Sequence, residues 1–451
     1  MNAKQSEEFE ARAEEIYQGI LNRAPEHDFD PTIDRTRRLV ELLGDPHKSF
    51  RMVHLTGTNG KTSTSRMIES LVRHHGLRTG LFTSPHLTTV RERIQIDGEP
   101  ISAERFVEMW EDIEPYVAMV DAELAESGQS QLSFFEVLTG LAFAAFADAP
   151  VDVAVVEVGM GGEWDSTNVA DGDVAVITPI AMDHERWLGS TLAEIASTKA
   201  GIIKPGATVI SAPQPESVAE VLLSAAAKAG ARLVRHGDEL EVVNRLVAVG
   251  GQLLDLRGIG GLYTEIFLPL HGKHQADNAL LALAATEALM RGGGALEGPI
   301  VEEGFATTTS PGRLEVVRTS PLVIVDAAHN PAGAVALNES LHESFALERI
   351  IGVVAMVADK DAESFLGELE PMFDEIVITE AITERALPSE DLAEIAIGVF
   401  GEDRVRTADN LPDAIDLAAA RAEYDNIAGT GVLITGSVIT VAQARILFGV
   451  G

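Results

Sequence analysis

Residues 52–83 constrain the fold more tightly than any other stretch of the 451-residue chain. A short apolar run, Met52, Val53, His54 and Leu55, reads as a strand. It runs into Gly57, Thr58, Asn59, Gly60, Lys61 and Thr62, and a polar helix is expected over 63–75. Gly76 stops that helix and a second strand starts at Thr79. Strand, glycine loop, helix and strand in this order open a parallel α/β sheet. The loop is a variant of the Walker pattern G-x-x-x-x-G-K-[ST]. Gly60, Lys61 and Thr62 fit its end, but Leu55 stands where the first glycine would be. The physics survives the change. Backbone N–H groups over Thr58, Asn59, Gly60, Lys61, Thr62 and Ser63, at a helix N-terminus, can face phosphates, Lys61 can reach their outer oxygens, and the Thr62 hydroxyl can ligate Mg²⁺. A plain glycine turn capping a helix would have no need of the Lys-Thr pair.

The rest of the chain continues the alternation. Phe9, Ala13, Ile16, Tyr17 and Ile20 recur at helical spacing, a second helical stretch covers 33–43, and Gly44, Asp45 and Pro46 end it. Helices are expected over 102–124 and 133–146, and near-continuous apolar strands over 151–157 and 174–178. Strand, helix and strand follow over 209–211, 217–229 and 232–234. Residues 238–269 read as a glycine-rich antiparallel addition, and 275–290 as a helix. Small polar residues and Pro311-Gly312 mark a turn at 307–313. Beyond it βα alternation restarts, with strands at 323–325, 350–354, 376–379 and 432–435 and helices from Ala332, Ala362, Ser389 and Asp413. The expected class is α/β: a P-loop-containing parallel-sheet ATPase domain over 1–309 and a smaller Rossmann-like C-terminal domain over 310–451.

Composition excludes several functions. Lys and Arg number 34 against 70 Asp and Glu, a net charge of −36, so a nonspecific binder of nucleic acid or of an anionic membrane is not expected. With no cysteine, disulfides, thiolate metal sites and thiol nucleophiles are all absent. The first 21 residues, rich in glutamate, lack the basic and apolar regions of a secretory leader. The best apolar stretch, 141–156, is broken by Asp148, Pro150 and Asp152. A soluble cytoplasmic protein is expected.

Two further residues, Glu157 and His184, stand where ligands of such sheets bind, and a third, Lys199, is set apart by its rarity. Glu157 ends an apolar strand and precedes Gly159, Met160, Gly161 and Gly162, a place suited to a Mg²⁺ carboxylate or to a solvated strand end. His184 follows the strand at 174–178; a lone histidine is more often structural than a ligand. Lys199 is one of only 8 lysines and by itself reads as a surface charge.

Taken together, the segments HLTGTNGKTST (54–64), TSPHL (83–87), ERIQIDGEPIS (92–102), SFFE (133–136), EVGMGGEWDSTN (157–168), MDHERWLG (182–189), STKAGIIKPG (197–206), HQADNA (274–279), SPGRLE (310–315) and DAAHNP (326–331) resemble the folylpolyglutamate synthase/dihydrofolate synthase family of Mur-type ligases. The resemblance implies an ATP-dependent amide ligase. ATP phosphorylates the carboxylate of dihydropteroate or of a folate, and the amine of L-glutamate displaces the phosphate. It implies one Mg²⁺ on Ser84 and Glu157, with Thr62 as a further ligand, and a second near His184, supported by Lys199 as a CO₂-derived carbamate; a monovalent cation is a further candidate. It places ATP on the glycine loop and on Asn278, Arg313 and Asp326. It places the pterin or folate on Thr83, Ser133, Phe134, Phe135, Glu136, Trp164, Asp165 and Ser166, and the incoming glutamate by His329 and Ser437. Phe134 and Phe135 would equally serve as plain core. It also implies a monomer. The chain departs from the pattern at Glu163, where many members carry arginine, and this bears on pterin or tail binding.

Two other readings compete. A Mur-type ligase of nucleotide-linked cell-wall precursors would share the loop, the lysine and the C-terminal domain, but would place about 100 residues of nucleotide-sugar domain before the loop. Only 56 residues precede Gly57 here. A non-catalytic ATP-binding regulator would not need Lys61, Glu157, His184, Lys199 and Asp326 together.

Overall fold

The computed structural model describes residues 3–23, 31–424 and 429–450. Seventeen strands are described: β1 Arg51–Thr56, β2 Thr79–Phe82, β3 Ile94–Ile96, β4 Glu99–Pro100, β5 Val153–Glu157, β6 Val174–Ile177, β7 Thr208–Ser211, β8 Arg232–Arg235, β9 Glu241–Ala248, β10 Gly251–Arg257, β11 Leu262–Leu268, β12 Glu315–Thr319, β13 Leu322–Val325, β14 Arg349–Val354, β15 Glu375–Ile378, β16 Val405–Thr407 and β17 Thr430–Thr435. They form three sheets, ordered β4-β3-β2-β5-β1-β6-β7-β8, β11-β10-β9 and β12-β13-β17-β14-β15-β16.

The chain divides into two compact units. The first comprises Met1–Val243, Asp255–Ile266 and Asn278–Thr308; the second comprises Asn244–Leu254, Phe267–Asp277 and Thr309–Gly451. The small sheet contributes residues to both. In the first unit β2, β5, β1, β6, β7 and β8 run parallel, with β1 in the middle. β5 and β6 are buried along their whole length, and β1 beyond its first residue. Strands covered on both faces by helices must be apolar throughout, which is why they read as unbroken runs.

The sequence pattern did not reveal β3 and β4. They form an antiparallel edge joined at Asp97 and Gly98, whose φ angles are 51° and 84°. Two successive positive φ angles are what a tight hairpin of the Asp-Gly kind requires. In the second unit β13, β17, β14, β15 and β16 are parallel, and β12 is an antiparallel edge.

The N-terminal helix Ala3–Leu21 buries Ala13, Ile16 and Ile20, and the next helix, Asp34–Leu42, buries Leu39 and Val40. Both pack into one cluster with Phe106, Leu138, Phe143 and Phe146. Residues 24–30 lie outside the described residues. No described helix is long and apolar enough to cross a membrane.

One polar contact inside this core ties the N-terminal helices to the helix Phe134–Asp148. Arg35 donates from Nε and Nη2 to the two Glu136 oxygens at 2.9 and 2.7 Å, with side chains 4% and 7% exposed. Removing one member strands the other charge in the interior. Arg35→Met is therefore expected to destabilise the protein by about 3–5 kcal/mol, read as a lowered urea midpoint by circular dichroism; a loss below about 1 kcal/mol would refute the pairing.

Candidate active site

The register of the larger sheet brings distant segments to one edge. Leu55 lies beside Glu157, Thr56 beside Ile177, and Phe82 beside Val156. The chain therefore leaves β1, β2, β5 and β6 at the same C-terminal edge, where ligands of open α/β sheets bind.

The glycine loop is held by the segment after β6. Gly57 has φ +146°, and a Cβ there would fall 1.9 Å from Thr178 Oγ1. Gly60, at φ +90°, would place a Cβ 2.6 Å from Asn278 Oδ1. No other residue type fits either position without displacing a neighbour. The N–H groups of Thr58 and Asn59 donate to Pro179 O at 2.9 and 3.4 Å. Thr58 Oγ1 donates to Ala181 O and accepts from Ala181 N, both at 3.0 Å. Those two N–H groups brace the loop. The start of the helix Lys61–His74, whose first N–H groups lack intrahelical acceptors, has the chemistry of an anion site.

Lys61 Nζ donates to Gly57 O and Thr58 O at 3.2 and 3.1 Å. Thr62 Oγ1 donates to both Glu157 oxygens at 3.1 and 2.9 Å, and Glu157 is only 1% exposed. A hydroxyl and a buried carboxylate side by side are hard oxygen donors, the set that suits Mg²⁺.

Lys199 ends the helix Leu192–Lys199 and is buried. Its Nζ donates to Gly57 O at 2.7 Å, so two lysines share one carbonyl. Burial, reinforced by the Lys61 charge, pushes its pKa down to about 7, against the pull of Asp183 and Asp165. The surface charge expected from its residue type alone is instead a buried amine with a lowered pKa beside the glycine loop.

The other sequence-derived residues spread along the same edge. Thr83 follows β2, buried, and Ser84 is next, half-buried. His184 precedes the short helix Glu185–Leu188 at φ 53°, largely exposed, with Nε2 3.9 Å from Asp183. Ser133 and Glu136 form a capping box at the start of the helix Phe134–Asp148, so both have structural work besides any ligand contact. The Phe135 ring stacks on Phe82 with centroids 5.6 Å apart, and Phe134 lies under the Arg93 guanidinium at 5.1 Å. Trp164 is half-buried and Glu163 exposed. Ser166 Oγ and Thr139 Oγ1 are 2.7 Å apart. Asp165, buried, accepts from Met160 N and Thr167 N, both at 3.0 Å, and burial pushes its pKa up.

In the second unit, β13 and β17 are parallel neighbours, so the loops that follow them emerge together. Asp326 accepts from Leu314 N and Ala328 N, both at 2.9 Å; burial raises its pKa while Arg313 opposes the rise. His329 Nδ1 lies 2.9 Å from Ala327 O. Ser437 caps the helix Val438–Leu447, accepting from Ile439 N at 3.1 Å. Gly436 N donates to Ala328 O at 3.0 Å, joining the two loops.

Several supporting residues escaped the sequence reading. Gln214 donates to Thr178 O and accepts from Ile180 N at 3.0 and 3.1 Å, bracing the segment that braces the loop. Glu287, fully buried, accepts from Ile259 N, Gly260 N and Tyr263 OH in the helix that also carries Asn278. Glu287 had a signal, a carboxylate in an otherwise apolar helical stretch; Gln214 had none.

Comparison with known proteins gives the same picture. Residues 55–286 match the Mur ligase middle domain and 312–438 the Mur ligase glutamate ligase domain. A dihydrofolate synthase/folylpolyglutamate synthase of Mycobacterium tuberculosis is 50% identical over 447 residues, covering 95% of this chain and 92% of that protein. One from Bacillus subtilis is 34% identical, covering 92% and 94%. The M. tuberculosis folylpolyglutamate synthase complexed with ADP and AMPPCP superposes with a TM-score of 0.93 at 49% identity, covering 98% and 99% of the two chains. Escherichia coli FolC in complex with DHPP and ADP gives 0.82 at 29% identity, covering 97% of each.

Lys199 makes stability depend on pH. Its folded pKa of about 7 lies below its ordinary 10.5. Between these values the unfolded chain holds the proton and the folded chain does not, so stability rises with pH across that window. With CO₂ excluded so that Lys199 is the free amine, Lys199→Met should flatten the rise in melting temperature between pH 7 and 10.5 relative to the parent protein. Equal slopes for the two would show that Lys199 keeps its ordinary pKa.

Proposed function

We infer the function from one premise: the chain belongs to the folylpolyglutamate synthase/dihydrofolate synthase family of Mur ligases. It is an ATP-dependent ligase that adds L-glutamate to dihydropteroate and to folylpolyglutamate, releasing ADP and phosphate. The observation that carries this reading is the pair of lysines, Lys61 and Lys199, on the Gly57 carbonyl, with Thr62, next to Lys61, bonded to the buried Glu157.

The reaction brings a substrate carboxylate against the γ-phosphoryl group. At ~4 Å and an effective dielectric of ~20 each like-charge pair costs about 4 kcal/mol. Catalysis is therefore mostly positioning and charge neutralisation. Lys61 exchanges the loop carbonyls for phosphate oxygens. Thr62, Ser84 and Glu157 would hold a Mg²⁺, and His184 would support a second. Mg²⁺, when bound, neutralises the charge on the phosphoryl oxygens. Lys199, with a pKa of about 7, has a neutral fraction whose lone pair can attack CO₂. The N–C bond forms as a C=O π pair moves onto oxygen, the amine loses a proton to water, and the resulting carbamate would replace a cation by an anion able to support a second Mg²⁺, with a monovalent cation as a further ligand of the site. ATP contacts also fall to Asn278, Arg313 and Asp326, and glutamate contacts to His329 and Ser437. The pterin lies along Thr83, Phe134, Phe135, Trp164, Asp165 and Ser166, with Ser133 and Glu136 capping the helix beneath it. The functional division is drawn between residues 309 and 310, and the enzyme acts as a cytoplasmic monomer.

A coupled ADP-release assay tests the reading. Turnover is expected only with a pterin acceptor and L-glutamate together, and Lys61→Ala should lower kcat at least about 100-fold. Turnover confined to a cell-wall nucleotide, or none at all, would overturn it. Side-by-side kinetics with dihydropteroate and a reduced folate monoglutamate should give product from both. Lys199→Ala should abolish activity, and intact mass should show one added CO₂ on the parent protein; an unmodified amine with full activity in the variant would refute the carbamate.

A further inference from the structure

We propose that His54 and Thr167 form a one-directional hydrogen-bond relay that holds the Asp165 carboxylate as an oriented, acceptor-only group, making both positioning residues for the pterin-binding end of the site. The proposal rests on the assignment of Asp165 to the pterin.

His54 lies in the middle of β1, fully buried, between Val53 and Leu55. A polar ring in such a strand costs free energy that any apolar residue would avoid. Its Nε2 is 2.8 Å from Thr167 Oγ1, and Thr167 Oγ1 donates to Asp165 Oδ1 at 2.5 Å. A threonine hydroxyl has one proton. With that proton given to Asp165, the oxygen can only accept from His54, so the imidazole carries its proton on Nε2. The remaining nitrogen, Nδ1, is buried and has no hydrogen-bond partner. An orphaned lone pair is tolerated better than an orphaned N–H, so the reverse tautomer is disfavoured at both ends of the relay. Burial, aided by the nearby Lys204 charge, pushes the His54 pKa down to about 3, which keeps the ring neutral.

Asp165 is thereby surrounded by donors. Oδ1 takes the Thr167 hydroxyl and amide, and Oδ2 takes Met160 N at 3.0 Å. Capping the short helix Ser166–Val169 needs only the Thr167 amide. The hydroxyl and the histidine behind it exceed what a cap requires. They fix the carboxylate's rotamer, while the Met160 amide ties it to the turn after Glu157, whose Gly161 O accepts from Thr56 Oγ1 at 2.6 Å. The charged groups facing this network are Lys204 on the His54 side and Lys199 on the Asp165 side.

Steady-state kinetics on four proteins test the relay. Thr167→Val keeps the volume and removes the hydroxyl; it should raise KM for dihydropteroate at least about ten-fold while KM for ATP stays within about two-fold. Thr167→Ser should restore the acceptor KM, and Asp165→Asn should raise it at least as much as Thr167→Val. If Asp165→Asn leaves the acceptor KM unchanged, the pterin assignment fails. If Asp165→Asn raises it and Thr167→Val does not, the relay alone fails. Should Thr167→Val not fold, ¹⁵N-histidine NMR of the parent protein decides. The His54 signal, assigned by its loss in His54→Gln, is expected as the neutral Nε2–H tautomer from about pH 6 to about 9. A protonated Nδ1 would overturn the relay.

Discussion

The C-terminal edge of the larger sheet is organised around one backbone carbonyl, that of Gly57. Lys61 and Lys199 both donate to it, from the following helix and from a segment more than a hundred residues away. Two ammonium groups cannot comfortably share one acceptor in a buried site. The more deeply buried of them yields its proton more readily, and Lys199 becomes the soft spot in the charge arrangement. The carbonyl points where it does because Gly57 takes a backbone conformation open to glycine and lies against Thr178. A side chain at 57 would turn that carbonyl away and release both lysines together.

The parallel strands were legible because burial on both faces leaves runs of valine, isoleucine and leucine, and the glycine loop because few other structures call for its residue types. Glu157 was legible as a strand-end acid, whereas Lys199 took its meaning only from its neighbours in the resemblance. Much of what stayed hidden has partners far along the chain. Arg35 and Glu136 are 101 residues apart, and His54 and Thr167 are 113 apart. The edge hairpin at 94–100 is too short for periodicity to register, although Asp97 and Gly98 carried a turn signal. Ser133 and Glu136, read for the pterin, also spell a capping box, and the sequence alone does not separate the two uses.

A net charge of −36 sits oddly with substrates that are all anions. Local structure resolves this. Gly60 and Ser133 in the first unit, and Ser437 in the second, each begin a helix of ten residues or more, so candidate site residues stand at positive helix ends. Such ends act within about one turn, whereas the surface acids are screened over a Debye length of about 8 Å. The global charge governs long polyanions; small ligands meet the local field.

The capping residues have a consequence for reading relatives of this chain. Ser133, Asp165 and Ser437 hold helix starts together whether or not catalysis occurs. A descendant that had lost activity would keep them for its own folding, and their presence would say nothing about chemistry. Lys199 is the opposite case, because its burial as a cation works against the fold. Relaxed selection would replace it early with an apolar residue. In a lineage drifting toward a pseudoenzyme, that one position is the more truthful witness to whether the reaction still runs.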